Sequence, residues 1–210
     1  MKNQVILFQG DSITDCGRGR DKIEPNSGLG SGYPCLIAAK LLCDKAEEHL
    51  NFYNLGISGN RIVDLYARWK SDALNLHPDV ISILIGVNDT WHEFGNKNGV
   101  EVPRYEQFYR MLLEWTFKAR PNVKLVLCEP FVLVCGAVSA EWLPEINQRR
   151  EVVRKLAKEF NAIFIPYQEI FDAALKQAPA EYWLRDGVHP TLAGHQLMAE
   201  AWLKATAQII

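Results

Sequence analysis

The segment Val5-Ile6-Leu7-Phe8-Gln9-Gly10-Asp11-Ser12 decides how this chain of 210 residues begins to fold. Its four consecutive apolar residues are typical of a short strand buried on both faces, predicted here over Gln4–Phe8. Gly10 then allows a sharp turn where the strand ends. Further along the chain, apolar runs predict four more strands, at Asn51–Leu55, Val80–Ile85, Val123–Cys128 and Ala162–Pro166.

Helical patterns lie between these strands. Strands that alternate with helices form βαβ units, in which the strands are parallel and the helices cover both faces of the sheet. The sequence therefore predicts a single three-layer α/β domain over residues 1–210, with Glu129–Pro144, the least regular stretch, as an inserted loop. Apolar residues recur at helical spacing in Tyr33–Glu48, Asn60–Leu74, Tyr105–Ala119, Glu145–Phe160 and Thr191–Thr206.

Composition and charge exclude several classes of protein. The chain has 23 Lys and Arg against 25 Asp and Glu, a formal net charge of −2, and 48% of its residues are apolar. Disordered chains are less apolar and less balanced in charge, and nucleic-acid binders usually carry a basic excess. The longest apolar stretch, Phe131–Val138, is too short to cross a bilayer, which takes roughly 20 residues. We therefore expect neither a nucleic-acid nor a membrane partner.

The N-terminal segment and the cysteines indicate a compartment. Four apolar residues are fewer than the h-region of a signal peptide requires, so this segment is interpreted as the first strand. The five cysteines are odd in number and lack CxxC spacing. That usage favours reduced thiols over a disulfide framework. We expect a cytoplasmic protein.

Small and polar residues follow the predicted strands and precede the last helix. In open parallel sheets, ligands bind beyond the carboxyl ends of the strands, so these segments are expected to converge on one edge. The segments are Gly10-Asp11-Ser12, Gly56-Ile57-Ser58-Gly59-Asn60, Gly86-Val87-Asn88-Asp89 and Asp186-Gly187-Val188-His189-Pro190.

Ser12, Asp186 and His189 are candidates for nucleophilic catalysis. A serine hydroxyl is a weak nucleophile unless a base takes its proton. Asp186 can hydrogen-bond to one ring nitrogen of His189 and leave the other nitrogen free to act as that base. Taken alone, a serine after a glycine is usually a turn residue, and Asp-x-x-His is common before a helix cap. The hypothesis therefore depends on all three residues together.

Acyl transfer also requires hydrogen-bond donors for the negative charge that develops on the carbonyl oxygen. The backbone N–H groups of Ser12 and Gly56 and the side-chain amide of Asn88 suit this task. In isolation, Gly56 would be interpreted as a turn glycine and Asn88 as an Asx-turn residue. These three residues are the predicted oxyanion hole.

Four blocks together resemble the SGNH (GDSL-like) hydrolase family across essentially the whole chain. The resemblance implies Ser12 as nucleophile, His189 as base and Asp186 as the residue that orients it. It also implies oxyanion donors at Gly56 and Asn88, a flavodoxin-like five-stranded sheet in the order 2-1-3-4-5, and no cofactor. The blocks are Gly10-Asp11-Ser12-Ile13, Asn54-Leu55-Gly56, Gly86-Val87-Asn88-Asp89 and Asp186-Gly187-Val188-His189-Pro190.

Extended forms of these blocks are similar to bacterial carbohydrate-acetyl esterases, notably xylan acetylesterases of the SGNH type. This similarity implies a serine esterase that removes acetyl groups from sugar hydroxyls through an acyl-enzyme, and a homo-oligomer. Leu197, Met198 and Trp202 of the last helix either pack internally or form such a subunit contact. The extended blocks are Gly10–Arg18, Gly56–Asn60, Asn88–Trp91 and His189–His195.

Asp11, Arg61 and Trp91 are the predicted substrate-binding residues. Trp91 could offer a flat face to a sugar ring, and Arg61 could hydrogen-bond to its hydroxyls. For Trp69, which could offer a similar face, core packing is favoured. His195, in the final helix, is expected to cap or to form a buried hydrogen bond.

Several alternatives remain at this point. Within the SGNH enzymes, the substrate could be a thioester or lysophospholipid with a longer acyl chain; outside enzymes, the chain could be a non-catalytic carbohydrate-binding protein. An intact Ser12, Asp186 and His189 set argues against the latter. The glycines at 28–32 do not fit a nucleotide-binding fingerprint, and the five histidines lack metal-site spacing. The α/β-hydrolase fold is also disfavoured, because its G-x-S-x-G elbow has a second glycine where this chain has Thr14.

Overall fold

The computed structural model describes residues 3–21 and 23–210. Within them, five parallel strands form one sheet in the order β2-β1-β3-β4-β5, which confirms the expected topology. The short, apolar strands match the predicted segments closely. They are β1 Val5–Gly10, β2 Asn51–Asn54, β3 Val80–Leu84, β4 Lys124–Cys128 and β5 Ile163–Ile165.

Helices connect the strands and cover both faces of the sheet. Short 3₁₀ turns at Ala46–Glu48, Leu74–Leu76 and Ala140–Trp142 join some of them. The α-helices of the described residues are α1 Ser12–Asp15, α2 Tyr33–Asp44, α3 Ile62–Asp72, α4 Val87–Asn96, α5 Val102–Ala119, α6 Leu143–Glu159, α7 Tyr167–Ala174, α8 Ala180–Trp183 and α9 Leu192–Thr206.

The sheet separates two apolar cores. Successive side chains of a strand point to opposite faces, so Ile6 and Phe8 of β1 enter one core and Leu7 enters the other. Helices α2 and α9 pack against each other over the first face, while α3 and α5 pack over the second. This arrangement gives the predicted three layers and leaves the carboxyl ends of the strands open at one edge.

The last helix packs internally. Trp202 is fully buried, lies 5.4 Å from the ring of Phe8 between ring centroids, and donates a hydrogen bond from Nε1 to Ser82 Oγ at 3.0 Å. Met198 is also fully buried. Of the two interpretations of this apolar face, internal packing is therefore the correct one for these two residues.

Among the described residues, four α-helices fall in segments that carried no helical prediction: the four-residue helices α1 and α8, and the longer α4 and α7. Helix α4 follows β3 directly, where only a polar turn was expected, and α7 follows β5. Helix α4 was not predicted because one of its faces is open and polar, so its sequence lacks a continuous apolar stripe. No helix in residues 3–21 and 23–210 is both long enough and apolar enough to cross a membrane.

Candidate active site

Ser12 lies directly beyond the carboxyl end of β1, as the first residue of the four-residue helix α1. The Asp11 side chain caps this helix by accepting a hydrogen bond from Ile13 N at 3.0 Å. At Gly10 there is no room for a side chain, because a Cβ would lie 2.3 Å from the carbonyl oxygen of Leu84. The end of the strand, the glycine and the cap therefore fix the position of the serine.

The structure brings Ser12, His189 and Asp186 into one hydrogen-bonded chain. Ser12 Oγ lies 2.8 Å from His189 Nε2, and His189 Nδ1 lies 2.7 Å from Asp186 Oδ2. An ionised carboxylate can only accept hydrogen bonds, so Nδ1 carries the ring proton. The lone pair of Nε2 therefore faces the serine hydroxyl and can take its proton.

Asp186 is held as a carboxylate by its neighbours. Burial alone would raise its pKa, but hydrogen bonds donated by the backbone N–H and ring of His189 and by Val188 N lower the pKa below its ordinary value. The two backbone bonds reach Oδ1, which leaves Oδ2 for the imidazole. The charge needed to orient and stabilise a protonated His189 is therefore maintained over a wide pH range.

The irregular segment 129–139 braces this acid–base pair. Leu133 N donates to the carbonyl of Gly187 at 2.9 Å, and Ala137 N donates to the carbonyl of Asp186 at 2.9 Å. Gly187 has φ of +90°, and a Cβ there would lie 2.5 Å from the carbonyl oxygen of Leu133. The predicted inserted loop thus packs its backbone against the segment that carries Asp186 and His189.

Asn88 lies in the first turn of α4 and contributes to the opposite side of the serine. Its Nδ2 donates one hydrogen bond to the carbonyl of Asn60 at 3.2 Å. Because a primary amide has two N–H groups, a second remains for a ligand oxygen. The backbone N–H of Ser12, at the start of α1, likewise has no acceptor within its helix. Both residues suit the predicted role as oxyanion donors.

Gly56 is not placed as predicted. Its N–H donates to the side-chain carbonyl of Asn54 at 3.0 Å, so it is not available to an oxyanion. The glycine instead permits close packing, since a Cβ there would lie 2.5 Å from Asp15 N. Gly59, three residues later, lines the cavity beside Ser12, and its N–H is not used by any hydrogen bond among the described residues. Gly59 therefore replaces Gly56 as the candidate donor.

Two polar side chains beneath the serine hold the 56–59 segment in place, and neither had a predicted role. Asn54 donates through Nδ2 to the carbonyls of Thr14 and Leu29 at 2.7 and 2.8 Å. Asp15 accepts from both the N–H and the hydroxyl of Ser58, each at 3.0 Å. The Asn54 bonds are buried and the Asp15 bonds partly buried, and together they link α1 to the segment that carries Gly59.

These groups open onto a cavity of about 580 Å³. Helix α4 supplies much of one wall, and the Ser12 turn, the 58–59 segment and His189 supply the rest. The lining residues are Ser12, Ser58, Gly59, Asn88, Trp91, His92, Gly95, Asn96 and His189.

The chain matches the GDSL-like lipase/acylhydrolase family over residues 8–197. This match spans most of the sequence and all three members of the Ser12–His189–Asp186 chain. The protein belongs to that family. It is a carboxylic ester hydrolase of the SGNH (GDSL) type.

Relatives agree with this membership. An acetylxylan esterase of Geobacillus stearothermophilus is 37% identical over 207 residues, which cover 96% of this chain and 93% of that protein. Its solved structure superposes with a TM-score of 0.87, covering 98% and 96% of the two chains at 36% identity. A GDSL-like protein of Parabacteroides merdae has a TM-score of 0.95 at 50% identity, with the same coverage. An α/β hydrolase enzyme from the metagenome of Lake Arreo, Spain, has a TM-score of 0.89 at 30% identity, covering 99% and 96%.

In this GDSL-family protein, the three predicted substrate-binding residues have different placements. Trp91 lines the cavity, and its ring centroid lies 5.8 Å from that of His189. Arg61 does not line it: Nε and Nη2 donate to the Asp64 carboxylate and Nη1 to Asn98. These bonds hold the start of α3, so the guanidinium is not free for a sugar. Trp69 is fully buried and donates to Thr116 Oγ1 at 2.8 Å, as favoured.

The prediction that Asp11 binds substrate is also wrong. It is 1% exposed and faces the protein interior, so it cannot contact substrate. Burial raises its pKa to about 7, with a contribution from the nearby Asp89 charge. Asp89 is fully buried, and burial also raises its pKa to about 7, against the opposing effect of Arg149. Asp89 accepts the N–H of Ile62 at 3.1 Å and so anchors the start of α3.

His195 forms the buried hydrogen bond expected of it. Its Nδ1 accepts from Tyr33 N at 3.1 Å, and its Nε2 lies 3.4 Å from Cys16 Sγ. Burial, followed by the charges of Arg185 and His189, lowers the pKa of His195 to about 4. The ring is therefore neutral at pH 7 and connects α9 to the start of α2, close behind the Ser12 helix of this GDSL-family enzyme.

Proposed function

We propose that this hydrolase is a serine esterase that removes acetyl groups from carbohydrate esters through an acyl-enzyme intermediate. The observation that carries the proposal is the Ser12–His189–Asp186 chain, with links of 2.8 and 2.7 Å, at the mouth of a cavity walled by Trp91. An indole face suits the apolar face of a sugar ring, and an open polar cavity suits a hydroxylated alcohol.

In the acylation step, Ser12 Oγ attacks the ester carbonyl while His189 Nε2 takes the hydroxyl proton. The oxygen of the tetrahedral intermediate receives hydrogen bonds from the N–H groups of Ser12 and Gly59 and from the Asn88 amide. The imidazolium is stabilised by Asp186 and gives its proton to the leaving sugar oxygen as the C–O bond breaks. The products of this half-reaction are the free sugar hydroxyl and acetyl-Ser12.

Deacylation repeats these roles with water. His189 removes a proton from a water molecule, whose oxygen attacks the acetyl carbonyl. The same donors stabilise the second tetrahedral intermediate, which collapses to acetate as Ser12 Oγ is reprotonated by His189. The side chains of Asp186 and His189 are 36% and 38% exposed, so water can reach the base.

The relatives support the choice of substrate. The Geobacillus protein is an acetylxylan esterase, and two of its solved structures are of catalytic mutants in which a serine or a histidine is replaced by alanine. Another of its structures is named as that of an acetyl-xylooligosaccharide esterase. A serine and a histidine are also the residues that meet at 2.8 Å in this chain.

A panel of esters tests the proposal. The purified enzyme is assayed on acetylated xylo-oligosaccharides, ethyl acetate, ethyl octanoate and a long-chain acyl thioester. The expected result is the highest kcat/KM on the acetylated oligosaccharides. Faster turnover of the long-chain thioester would instead favour the SGNH thioesterase or lysophospholipase alternative.

Cytoplasmic location and homo-oligomeric assembly are also proposed. The five cysteines, all free thiols in the structure, support the first, and the family resemblance supports the second. Fractionation of the source cells tests the location. Light scattering on the purified protein tests the assembly, and a monomeric mass would contradict it.

A further inference from the structure

One face of helix α4 forms a continuous wall of the cavity. Asn88, Trp91, His92, Gly95 and Asn96 all line it, and their spacing of i, i+3, i+4, i+7 and i+8 places them on the same side of the helix. Asn88 and Asn96 are eight residues apart, which corresponds to about 12 Å along the helix axis. The wall therefore extends well beyond the reacting ester.

The position of His189 relative to this wall identifies the half of the ester that lies along it. The leaving alcohol must be next to His189 Nε2, because that nitrogen supplies its proton. The ring of Trp91 is 5.8 Å from the ring of His189 between centroids. The alcohol therefore leaves the serine on the Trp91 side, and the rest of its molecule continues toward Gly95 and Asn96.

Trp91 is a rigid part of the wall. The Trp91 ring packs edge-on against the Trp142 ring, with centroids 5.3 Å apart. The Phe94 ring stacks on that of Trp142, with centroids 5.6 Å apart. Trp142 is only 5% exposed. An indole fixed in this way offers a preformed apolar surface at little entropic cost.

The distal part of the wall is polar and uncharged. His92 and Asn96 form no side-chain hydrogen bond with another described residue, so their donors and acceptors are open to a ligand. Burial, and then the charge of Arg61, lowers the pKa of His92 below its ordinary value. An apolar ring followed by neutral hydrogen-bonding groups suits a polyhydroxylated molecule better than an alkyl chain.

Gly95 keeps this part of the cavity open. A Cβ at this position would meet only Trp91 Cδ1, at 3.9 Å, so the space beside it is empty. A larger side chain would extend into that space and narrow the path from Trp91 to Asn96.

We infer that the Trp91–Asn96 face of α4 is the binding site for the alcohol half of the ester, and that Gly95 sets how large that alcohol can be. The inference rests on the proposed esterase function and deepens it: the ligand class is a polyhydroxylated alcohol longer than one sugar ring. The acyl group lies on the other side of Ser12.

The test is Gly95→Leu, which fills the empty space. The kcat/KM values of this variant and of wild type are compared on four esters: ethyl acetate, 2-naphthyl acetate, acetylated xylo-oligosaccharides and ethyl octanoate. The expected result is that kcat/KM for 2-naphthyl acetate and for the oligosaccharides falls about tenfold or more relative to ethyl acetate. The ratio of ethyl octanoate to ethyl acetate should stay as in wild type. Glu114→Leu, which adds a leucine to an exposed position of α5 outside the cavity, should leave all ratios unchanged.

Two results would overturn the inference. A selective loss of ethyl octanoate turnover would place the acyl chain along α4, and an equal loss on all four esters would show that position 95 acts on the reacting centre. The proposed sugar substrate is tested separately from the role of α4. If wild-type enzyme does not prefer the oligosaccharides, the ratio of 2-naphthyl acetate to ethyl acetate in Gly95→Leu still decides which half of the ester α4 binds.

Discussion

The two halves of the active site are held in opposite ways. Beneath Ser12, the supporting side chains of Asp11, Asp15 and Asn54 are at most 5% exposed and hydrogen-bond to backbone groups around them. The side chains of Asp186 and His189 are more than a third exposed, and their segment is braced by backbone bonds to an irregular loop. The core thus fixes the nucleophile, while the proton-transfer groups remain accessible to water. We expect mutations in the exposed half to affect rate more than stability, and mutations of buried supports to do the reverse.

The largest effect is expected where the two halves meet. Ser12→Ala removes the nucleophile and its 2.8 Å contact with His189 Nε2. Activity on p-nitrophenyl acetate should fall about 10⁴–10⁶-fold, because the acyl-enzyme cannot form. The denaturation midpoint should move little, since Ser12 is only partly buried. Near-wild-type turnover by the purified variant would show that another residue is the nucleophile.

Within the exposed half, Asp186→Asn should lower kcat about 10³–10⁴-fold. An asparagine retains an oxygen for the N–H groups of Val188 and His189, so the loop is preserved, but it no longer provides the charge that orients and stabilises the imidazole.

The pKa of Asp186 is held below its ordinary value, so the wild-type carboxylate stays ionised through the pH range in which histidines titrate. Wild-type activity should fall toward acid pH, because the general base must be unprotonated to accept the proton of Ser12. A rate constant that is flat down to pH 4 would rule out His189 as the base.

The oxyanion side is tested by Asn88→Ala, with an expected loss of about 10²–10³-fold in kcat and a smaller change in KM. The missing amide acts mainly in the transition state, when the carbonyl oxygen becomes charged. Asn122→Ala, at an exposed position outside the cavity, is the matched control. A change confined to KM would assign Asn88 to ground-state binding instead.

The smallest effect on rate, and the clearest on stability, is expected in the buried half. The pKa of Asp11 is raised to about 7 in the folded protein, so the folded state holds this proton more tightly than the unfolded chain does. That contribution to stability is present at low pH and is lost as pH rises toward 7. The free energy of unfolding of Asp11→Asn, relative to wild type, should therefore increase by about 2 kcal/mol between pH 5 and pH 7.

Denaturant unfolding at both pH values measures this difference. Asparagine keeps a side-chain oxygen for the Ile13 N–H, so the helix cap is retained. Asp44→Asn, at an exposed position, is the control and should give the same difference at each pH. A difference for Asp11→Asn that does not change with pH would contradict the protonation of Asp11 in the folded state.

The sequence allowed some parts of the site to be predicted better than others. Strands with continuous apolar runs, such as Val80–Leu84, were located within a residue, because burial on both faces leaves a strong signal. Ser12, Asn88, Asp186 and His189 were predicted to converge because each follows a strand or precedes a helix in a polar block, and the structure brings them together. What sequence spacing does not show is which N–H in a glycine-containing turn is already bonded.

Gly56 and Arg61 illustrate the limit. Gly56 lies two residues after the end of β2, and its N–H donates to the side chain of Asn54; this contact depends on the folded turn rather than on residue type. Arg61 was predicted to bind substrate, but in the folded chain its guanidinium donates hydrogen bonds to Asp64 and Asn98. Gly95 and Asn96 were not predicted as site residues because α4 was not predicted, although their spacing of i+7 and i+8 from Asn88 is typical of one helix face.

Ser12 and His189 are 177 positions apart in the sequence, which has a consequence for how the enzyme becomes active. The nucleophile is synthesised well before its base, and the segment that carries the base is also bonded to the 129–139 loop. Ester turnover can therefore begin only after the long-range contact between Ser12 and His189 has formed. A refolding experiment that follows ester turnover beside tryptophan fluorescence should show that turnover appears only after the segment with His189 has docked.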